Sequence, residues 1–268
     1  MDLPYFDLLL EGRERGDASA NVFERFVHWG LWSQPWRART DIEGYLGAME
    51  RLNDAVVAGA QISDGMTIAD IGCGFGGTLE RLARRFPTAR LVGLNIDHRQ
   101  LANAVESRSG LVCGDACKLP IATTSCEAML AVECIFHFPS RLAFLEEAAR
   151  VLKPGGRLSV SDFVPVAPRL QDSWIGRALI REIGKGYGDV AGWESGNYEV
   201  FARLAGLVIE ENRNVTMRTL PTYLSLVRLA LKRPLRRDFS SFIRPTILLL
   251  LLSLTGIVRY RIITFRKL

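Results

Sequence analysis

Short apolar runs that end in a polar residue alternate along the chain with stretches of helical apolar spacing. The clearest case is residues 66–78, where an apolar run reaches Asp70 and then breaks into the glycine-rich turn of residues 72–77. Apolar positions recur at helical spacing directly afterwards, at Leu79, Leu82, Ala83 and Phe86. This order predicts a strand, a glycine-rich loop and a helix. Because glycines let the backbone pass close to a ligand and a helix N-terminus offers free N–H groups, the stretch predicts a nucleotide-type cofactor site.

The same alternation continues towards the C-terminus. Further strands are predicted at residues 89–97, 111–116, 126–132 and 157–163, with helices at 98–107 and 141–152. A helix at 198–205 and strands at 207–216 and 260–265 follow. Strands that alternate with helices imply right-handed crossovers and a mostly parallel sheet covered on both faces. The predicted fold class is therefore α/β.

Polar residues stand where the predicted strands end. They are Asp70, Asn95, Asp115, Glu133 and Asp162. In parallel sheets, ligands bind beyond the carboxyl ends of the strands. We therefore expect these side chains to form a row along one rim of the sheet.

The segments that flank this core have a different pattern. Residues 18–60 have the apolar spacing of a helix, with an apolar stripe at Val22, Phe23, Phe26 and Val27. A cluster of one histidine and three tryptophans at residues 28–36 interrupts this spacing. The interruption predicts either a packed cap or a lid over the cofactor. Residues 164–196 lack a strand pattern and predict an inserted lid. We thus expect an N-terminal helical cap at 1–60, a cofactor-binding core at 61–220, and a helical segment with the final strand at 221–268.

Composition and charge add two constraints. The 268 residues are 48% hydrophobic and can bury a full core. Net charge is +5, yet residues from 221 onward contain ten Lys or Arg and one acid, so the rest of the chain is net negative. This basic end is expected to meet something anionic or the acidic body itself.

Neither the N-terminus nor the cysteines indicate secretion. The first residues carry acids and no basic segment, so the apolar run at residues 8–10 does not predict a signal peptide, and we expect a cytoplasmic protein. Five cysteines without paired spacing argue against disulfides and against a zinc site, and buried thiols are expected.

Residues 247–258 form an apolar run of twelve residues, about 18 Å long as a helix. This length cannot span a hydrocarbon core of roughly 30 Å. Three alternatives remain: a helix buried before the last strand, a wall of an apolar substrate pocket, or an interfacial anchor assisted by arginines.

Four motifs, at residues 69–77, 93–97, 114–120 and 146–156, together resemble class I S-adenosylmethionine (SAM)-dependent methyltransferases. The resemblance is to the small-molecule group, which includes sugar O-methyltransferases of natural products and tocopherol- or sterol-type enzymes. It covers roughly residues 20–216 and the last strand. It implies SAM as cofactor and a Rossmann-like seven-stranded sheet with the last strand antiparallel, preceded by a C-terminal helical insertion.

The resemblance also implies a cofactor site. Asp70 and the backbone around Gly72 and Gly74 would hold the amino-acid end of SAM. His28 and Trp29 match a segment that closes over the methionine end in relatives, with Trp29 as the expected cofactor contact. Glu133, on the same rim after the fourth strand, is a further expected cofactor contact.

The nucleoside end is implied by a second group of residues. Asn95, where many relatives carry an acid, would meet the ribose, with Gln100 as its neighbour. Ile96 would pack on the adenine, Asp115 would accept from its exocyclic amine, and Ala116 would contact it through backbone. A nicotinamide-binding fold is the competing prediction for this glycine loop. Asp70 argues against that fold, because it stands where a dinucleotide fold continues its buried apolar strand.

His137 and Asp162 are the candidate catalytic residues. His137 follows the fourth strand on the cofactor rim, and its ordinary pKa suits proton removal near neutrality. In the sugar O-methyltransferases a histidine at the matching place acts as base, assisted by an acid that corresponds to Asp162. The alternatives are that His137 caps the next helix or packs between Phe136 and Phe138, and that Asp162 only caps a loop. With three histidines in the chain, no metal site is expected.

The expected function is transfer of a methyl group from SAM to an oxygen or carbon of a hydrophobic small molecule in secondary metabolism. The alternatives are a membrane-associated lipid or quinone methyltransferase and a non-catalytic SAM-binding scaffold. We expect no nucleic-acid partner, because the basic end lacks polar helices with evenly placed arginines. Peripheral membrane contact through the basic C-terminal segment and a homodimer are further expectations.

Overall fold

The computed structural model describes residues 4–15, 21–105, 108–166, 173–188, 197–231 and 237–268. Its centre is a seven-stranded sheet in the order β3-β2-β1-β4-β5-β7-β6. The strands are β1 Thr67–Ile71, β2 Arg90–Asn95, β3 Gly110–Cys113, β4 Cys126–Val132, β5 Leu152–Pro165, β6 Leu207–Asn214 and β7 Val258–Lys267.

Strands β1 to β5 are parallel, whereas β7 pairs antiparallel with both β5 and β6. The predicted fold, a mostly parallel sheet with an antiparallel last strand, is therefore confirmed. The carboxyl ends of β1, β2 and β4 meet at one edge, since Asp70 is in register with Gly93 on one side and Leu130 on the other.

The helices lie on both faces of the sheet. They are α1 Pro4–Glu14, α2 Ile42–Gly59, α3 Gly77–Arg85, α4 His98–Ala102, α5 Arg141–Val151, α6 Trp174–Tyr187, α7 Tyr198–Leu204, α8 Thr216–Thr219, α9 Pro221–Leu231 and α10 Arg237–Leu254. Successive strand residues alternate between two apolar cores. Ile68 packs with residues of α2, α3, α6 and α10, while Ala69 packs with residues of α5 and α7.

Side-chain caps set several helix starts. Asp41 accepts a hydrogen bond from the Gly44 N–H at 2.8 Å before α2, and Ser140 accepts from the Ala143 N–H at 3.2 Å before α5. Caps of this kind satisfy N–H groups that a helix leaves unpaired at its first turn. Because Ser140 caps α5, the alternative in which His137 caps this helix is wrong.

The predicted helix through the stripe of Val22 to Val27 is absent. This part contains only a one-turn 3₁₀ helix, Asn21–Phe23. The following backbone bonds to distant elements instead: the Gly30 N–H donates to Thr222 Oγ1 at 3.0 Å and the Leu31 N–H to Ala48 O at 2.8 Å. These tertiary bonds replace the bonds that a helix would form.

The bounds of several other predicted elements shift, most of all those of α4 and β5. Helix α4 ends at Ala102, whereas the prediction continued to residue 107. Strand β5 starts at Leu152 and runs to Pro165, beyond both predicted ends, because Leu152 already pairs with Cys126 and Pro165 with Val258.

The predicted lid at 164–196 is described only in part. Strand β5 and helix α6 occupy its described residues, and α6 packs against α10. Residues 167–172 and 189–196, which include Trp193, lie outside the described residues. The division of the chain at residues 60 and 220 stays a prediction.

The apolar C-terminal run lies mostly in α10. Leu249 and Leu252 pack into the core, which confirms burial for one side of the helix. Ile247, Leu251 and Leu254 on the same helix are 49%, 52% and 56% exposed. In the part of the chain described, no helix is both long and apolar enough to cross a membrane. Lys232, Arg233 and Arg236 lie outside the described residues.

All five cysteines are free thiols. Cys73 and Cys126 are buried and Cys117 and Cys134 are partly buried, as expected. Cys113 is exposed, which corrects the prediction for that residue.

Candidate active site

A cavity of about 880 Å³, including its open mouth, lies at the carboxyl ends of the first four strands. The loops after these strands and residues 25–28 of the N-terminal segment line it. The predicted residues that line it are Asp70, Gly72, Gly74, Asn95, Ile96, Gln100, Asp115, Ala116, Glu133 and His137. The structure thus brings together residues that are far apart in the sequence.

Asp70 supplies an uncompensated acceptor to this cavity. The side chain is buried, and its Oδ2 has no hydrogen-bond partner among the described residues. Burial raises the pKa of Asp70 to about 7, because a carboxylate is poorly stabilised away from water. An unpaired buried carboxyl of this kind fits a ligand that brings a cationic N–H group.

The turn after Asp70 allows a close approach of ligand and backbone. Gly72 has φ +73°, and a Cβ placed there would lie 2.7 Å from the Cys134 side chain. Gly74 also has positive φ, at +53°. Side chains at these positions would be strained, and at Gly72 they would also collide with the loop after β4.

The opposite end of the cavity is built by the loops after β2 and β3. Asn95 Nδ2 donates to Gln100 Oε1 at 2.8 Å, and Asn95 Oδ1 accepts from the Ile96 N–H at 3.0 Å. The Ile96 side chain remains 42% exposed at the cavity. Asp115 Oδ1 accepts from the Cys117 N–H at 2.8 Å. This end therefore offers an apolar surface beside a carboxylate, which fits a heteroaromatic base with an amino group.

Glu133 joins the cavity wall to the N-terminal segment. Its Oε2 accepts the Trp29 N–H at 2.9 Å and also accepts the Tyr260 hydroxyl. Burial raises the pKa of Glu133 to about 8, although these two hydrogen bonds act in the opposite direction. Glu133 has φ +52°, a strained conformation for a residue other than glycine.

His137 lies in the 3₁₀ helix Ile135–His137, buried, in the wall formed by the loop after β4. Its ring centroid is 4.1 Å from that of Phe136, so the packing offered as an alternative is also present. His137 therefore both lines the cavity and packs against an aromatic ring.

Asp162 does not line the cavity, which corrects its assignment as the partner of His137. It lies inside β5, where its Oδ2 accepts from Arg141 Nε at 2.9 Å and from the Tyr198 hydroxyl at 2.7 Å. Because β5 continues to Pro165, Asp162 does not stand at a strand end. Successive side chains of a strand face opposite ways, and it is the neighbouring Ser161 that faces Glu133 and Tyr260.

Trp29 also does not line the cavity. Its ring packs edge-on against Phe163, with centroids 5.2 Å apart, and against Tyr223 at 5.7 Å. Its link to the site is the backbone N–H that binds Glu133. The preceding residue, His28, belongs to the same expected closing segment, and it is His28 and not Trp29 that lines the cavity. The cluster of aromatic and imidazole rings in the sequence predicted that this segment lies near the cofactor, but it did not show which of the side chains faces the cavity.

Comparisons with known proteins agree with this site. A family of proteins described as a methyltransferase domain matches residues 69–160. Methyltransferase GfsG of Streptomyces halstedii is 31% identical over 213 residues, which cover 75% of this chain and 72% of that protein. The 27-O-demethylrifamycin SV methyltransferase of Amycolatopsis mediterranei is 29% identical over 219 residues, 77% of each protein.

A solved structure supports the fold independently. Geranyl diphosphate C-methyltransferase from Streptomyces coelicolor, crystallised with S-adenosyl-L-homocysteine (SAH) among its ligands, has a TM-score of 0.74 at 17% identity. The match covers 93% of this chain and 91% of that one. The fold, the glycine loop and the similarity to GfsG define one class: the chain belongs to the class I SAM-dependent methyltransferases. It is an enzyme of the small-molecule type, and SAM is its cofactor.

Proposed function

We propose that this methyltransferase modifies an oxygen or a carbon of a hydrophobic small molecule of secondary metabolism. The observation that carries the proposal is the cavity itself, where the unpaired Asp70 oxygen and the apolar surface around Ile96 face one space. The relatives named above support the substrate class, since one of them is named as a methyltransferase of demethylrifamycin.

Within this cavity we assign the amino-acid end of SAM to Asp70, Gly72, Gly74 and Glu133. The nucleoside end is assigned to a second group on the loops after β2 and β3: Asn95, Ile96, Gln100, Asp115 and Ala116. When bound, SAM supplies a methyl group on a positively charged sulfur. The protein aligns the reactants and excludes water, and such alignment provides much of the acceleration in bimolecular displacements.

His137 is proposed as the base for a hydroxyl acceptor. It lines the cavity on the β4 side, beside the loop that carries Glu133. A positioned base contributes ~10² to 10⁴ in rate. Asp162 is not proposed again, because Arg141 and Tyr198 hold it inside the sheet.

The test measures methyl transfer from labelled SAM to a panel of hydroxylated hydrophobic acceptors, with His137→Ala compared with the wild type. We expect loss of turnover by about 10²-fold or more, with SAH affinity unchanged within about twofold. His98→Ala, at an exposed histidine of α4, is the matched control and keeps full activity. Full activity of His137→Ala would remove the base assignment. A wild type that binds SAH but methylates nothing would favour the scaffold alternative.

We infer that the exposed side of α10 contacts an anionic membrane surface peripherally. Ile247, Leu251 and Leu254 recur at helical spacing on that side, and Arg244 of the same helix is exposed. A helix with an apolar side and neighbouring cations binds in the plane of anionic bilayers. Free cysteine thiols support the cytoplasmic leaflet, because disulfides are rare in that compartment.

Sedimentation with anionic vesicles tests the membrane contact. Wild-type protein should co-sediment at low salt, and Leu251→Glu should reduce this several-fold. Leu204→Glu is the matched control, because Leu204 is an exposed leucine on α7. A homodimer is the competing explanation for the apolar side. If the wild type does not co-sediment with vesicles, and Leu251→Glu converts a dimer to a monomer in sedimentation velocity, then a second copy of this protein covers the exposed side of α10 instead.

A further inference from the structure

His28 presents one ring nitrogen that has no hydrogen-bond partner among the described residues. Its Nδ1 lies 2.8 Å from Trp29 O, and because a carbonyl oxygen only accepts, Nδ1 carries the proton. Its Nε2 is therefore a bare acceptor, buried and without a hydrogen bond to any described residue. The residue is 7% exposed and lines the cavity. A buried acceptor left unpaired is costly, and a bound donor would remove that cost.

The position of His28 identifies the end of the ligand it meets. The next residue, Trp29, is bound through its N–H to Glu133 directly after β4, and the His28 carbonyl accepts the Tyr45 hydroxyl at 3.2 Å. Asn95 ends β2 and Asp115 follows β3, both on the other side of β1 in the strand order. His28 thus lies over the end of the cavity opposite the nucleoside.

We propose that His28 Nε2 accepts a hydrogen bond from the α-ammonium group of SAM, as a binding residue beside Asp70. The assignment rests on the proposed arrangement of SAM in the cavity and is independent of the acceptor substrate. An ammonium group has three donors and no acceptor, so it requires several acceptors converging from different elements. Asp70 Oδ2 near the end of β1 and His28 Nε2 from the N-terminal segment are two acceptors of this cavity without a partner among the described residues.

The same residue is poorly suited to be the catalytic base. Burial lowers the pKa of His28 to about 4, because the charged imidazolium is disfavoured away from water. The ring is therefore neutral at physiological pH, which a hydrogen-bond acceptor for a cation requires. A group this weakly basic has little driving force to remove a proton from a hydroxyl.

The experiment compares two ligands on four proteins by calorimetry, without turnover. The ligands are SAH and an SAH analogue that lacks the α-amino group. The proteins are the wild type, His28→Phe, His28→Asn and His28→Gln. Phenylalanine removes both ring nitrogens. Asparagine keeps a donor towards Trp29 O but offers nothing at the Nε2 position, whereas glutamine carries an oxygen that reaches about as far as Nε2.

We expect His28→Phe and His28→Asn to bind SAH about tenfold or more weakly than the wild type, because a hydrogen bond to a charged donor is lost. Both variants should bind the deaminated analogue within twofold of the wild type. His28→Gln should recover most of the SAH affinity. Thermal unfolding of each variant checks that the N-terminal segment remains folded.

Two results would overturn the proposal. Equal weakening of both ligands would mean that His28 only shapes the segment. Unchanged SAH affinity in all variants would mean that Nε2 does not face the cofactor. Failure of the proposed function has a separate signature, because His28 would then still discriminate between the two ligands while no acceptor is methylated.

Discussion

At the scale of single residues, the proposed contact between Asp70 and SAM predicts that cofactor binding depends on pH. Its pKa is raised to about 7 by burial, so much of the ligand-free protein carries a protonated Asp70 at neutral pH. An ammonium group beside the carboxyl favours the charged form and lowers this pKa on binding. Binding below pH 7 therefore releases a proton, and SAH affinity should rise by about tenfold between pH 6 and pH 8.

Calorimetry in two buffers of different ionisation enthalpy measures this proton release directly. Asp70→Asn is the informative variant, because it keeps the shape and removes the titration. It should bind SAH more weakly and lose most of the pH dependence. Since Glu133 lines the same cavity with a pKa raised to about 8, a pH dependence that survives in Asp70→Asn would assign the effect to Glu133 instead.

The sequence predicted most of the residues that line the cavity, and its two failures have separate physical causes. Asp70, Asn95 and Asp115 were placed correctly because the carboxyl ends of parallel strands share an edge. Asp162 was misplaced because a sequence does not show where antiparallel pairing with β7 prolongs β5. Trp29 was misplaced because its segment is irregular. Such a segment lacks the regular spacing that, in a helix or strand, indicates which side chains face the same way.

At the scale of elements, the buried pair of Arg141 and Asp162 joins helix α5 to strand β5. Both side chains are at most 1% exposed, and the Tyr198 hydroxyl of α7 shares the Asp162 oxygen. Arg141→Met should destabilise the protein by about 3–5 kcal/mol, because it leaves a buried carboxylate without its cation. Urea unfolding measures the change.

The matched control is Lys185→Met on α6, whose partner Glu182 lies three residues earlier at the surface. Exposed pairs contribute at most about 1 kcal/mol, so this variant should unfold near the wild-type midpoint. If Arg141→Met were equally stable, the pair would be replaceable by apolar packing and would not hold α5 in place.

Element prediction succeeded where local pattern and tertiary contact agree. Strand β4 has the predicted bounds, because its apolar residues are buried between β1 and β5. The helix prediction for the N-terminal segment was wrong because the backbone N–H groups of this segment bind Thr222, Ala48 and Glu133. No local sequence pattern reveals these partners. Helix α10 was recognised as apolar, but the sequence could not show that one of its sides stays exposed.

At the scale of the whole molecule, Glu133 connects three distant parts of the chain. Its carboxyl receives Trp29 from the N-terminal segment and Tyr260 from the last strand, while its own N–H donates to Ser161 Oγ at 3.0 Å. The group is buried, so the charged form is disfavoured and its pKa rises to about 8. The stability that the neutral acid contributes is fully present below its unfolded pKa and is lost as pH rises through about 8.

Ligand-free wild type should therefore be less stable at pH 8.5 than at pH 5.5, with Glu133 accounting for about 3 kcal/mol of the difference in unfolding free energy. Glu133→Gln keeps an oxygen that accepts from Trp29 and Tyr260 but cannot ionise, so its stability should lose the share of the pH dependence that comes from Glu133 and keep the share that comes from Asp70. Urea unfolding of both proteins across this range gives the comparison. Glu199→Gln, at an exposed position of α7, is the control and should retain the wild-type slope. Parallel slopes for the wild type and Glu133→Gln would show that Glu133 does not control the pH dependence.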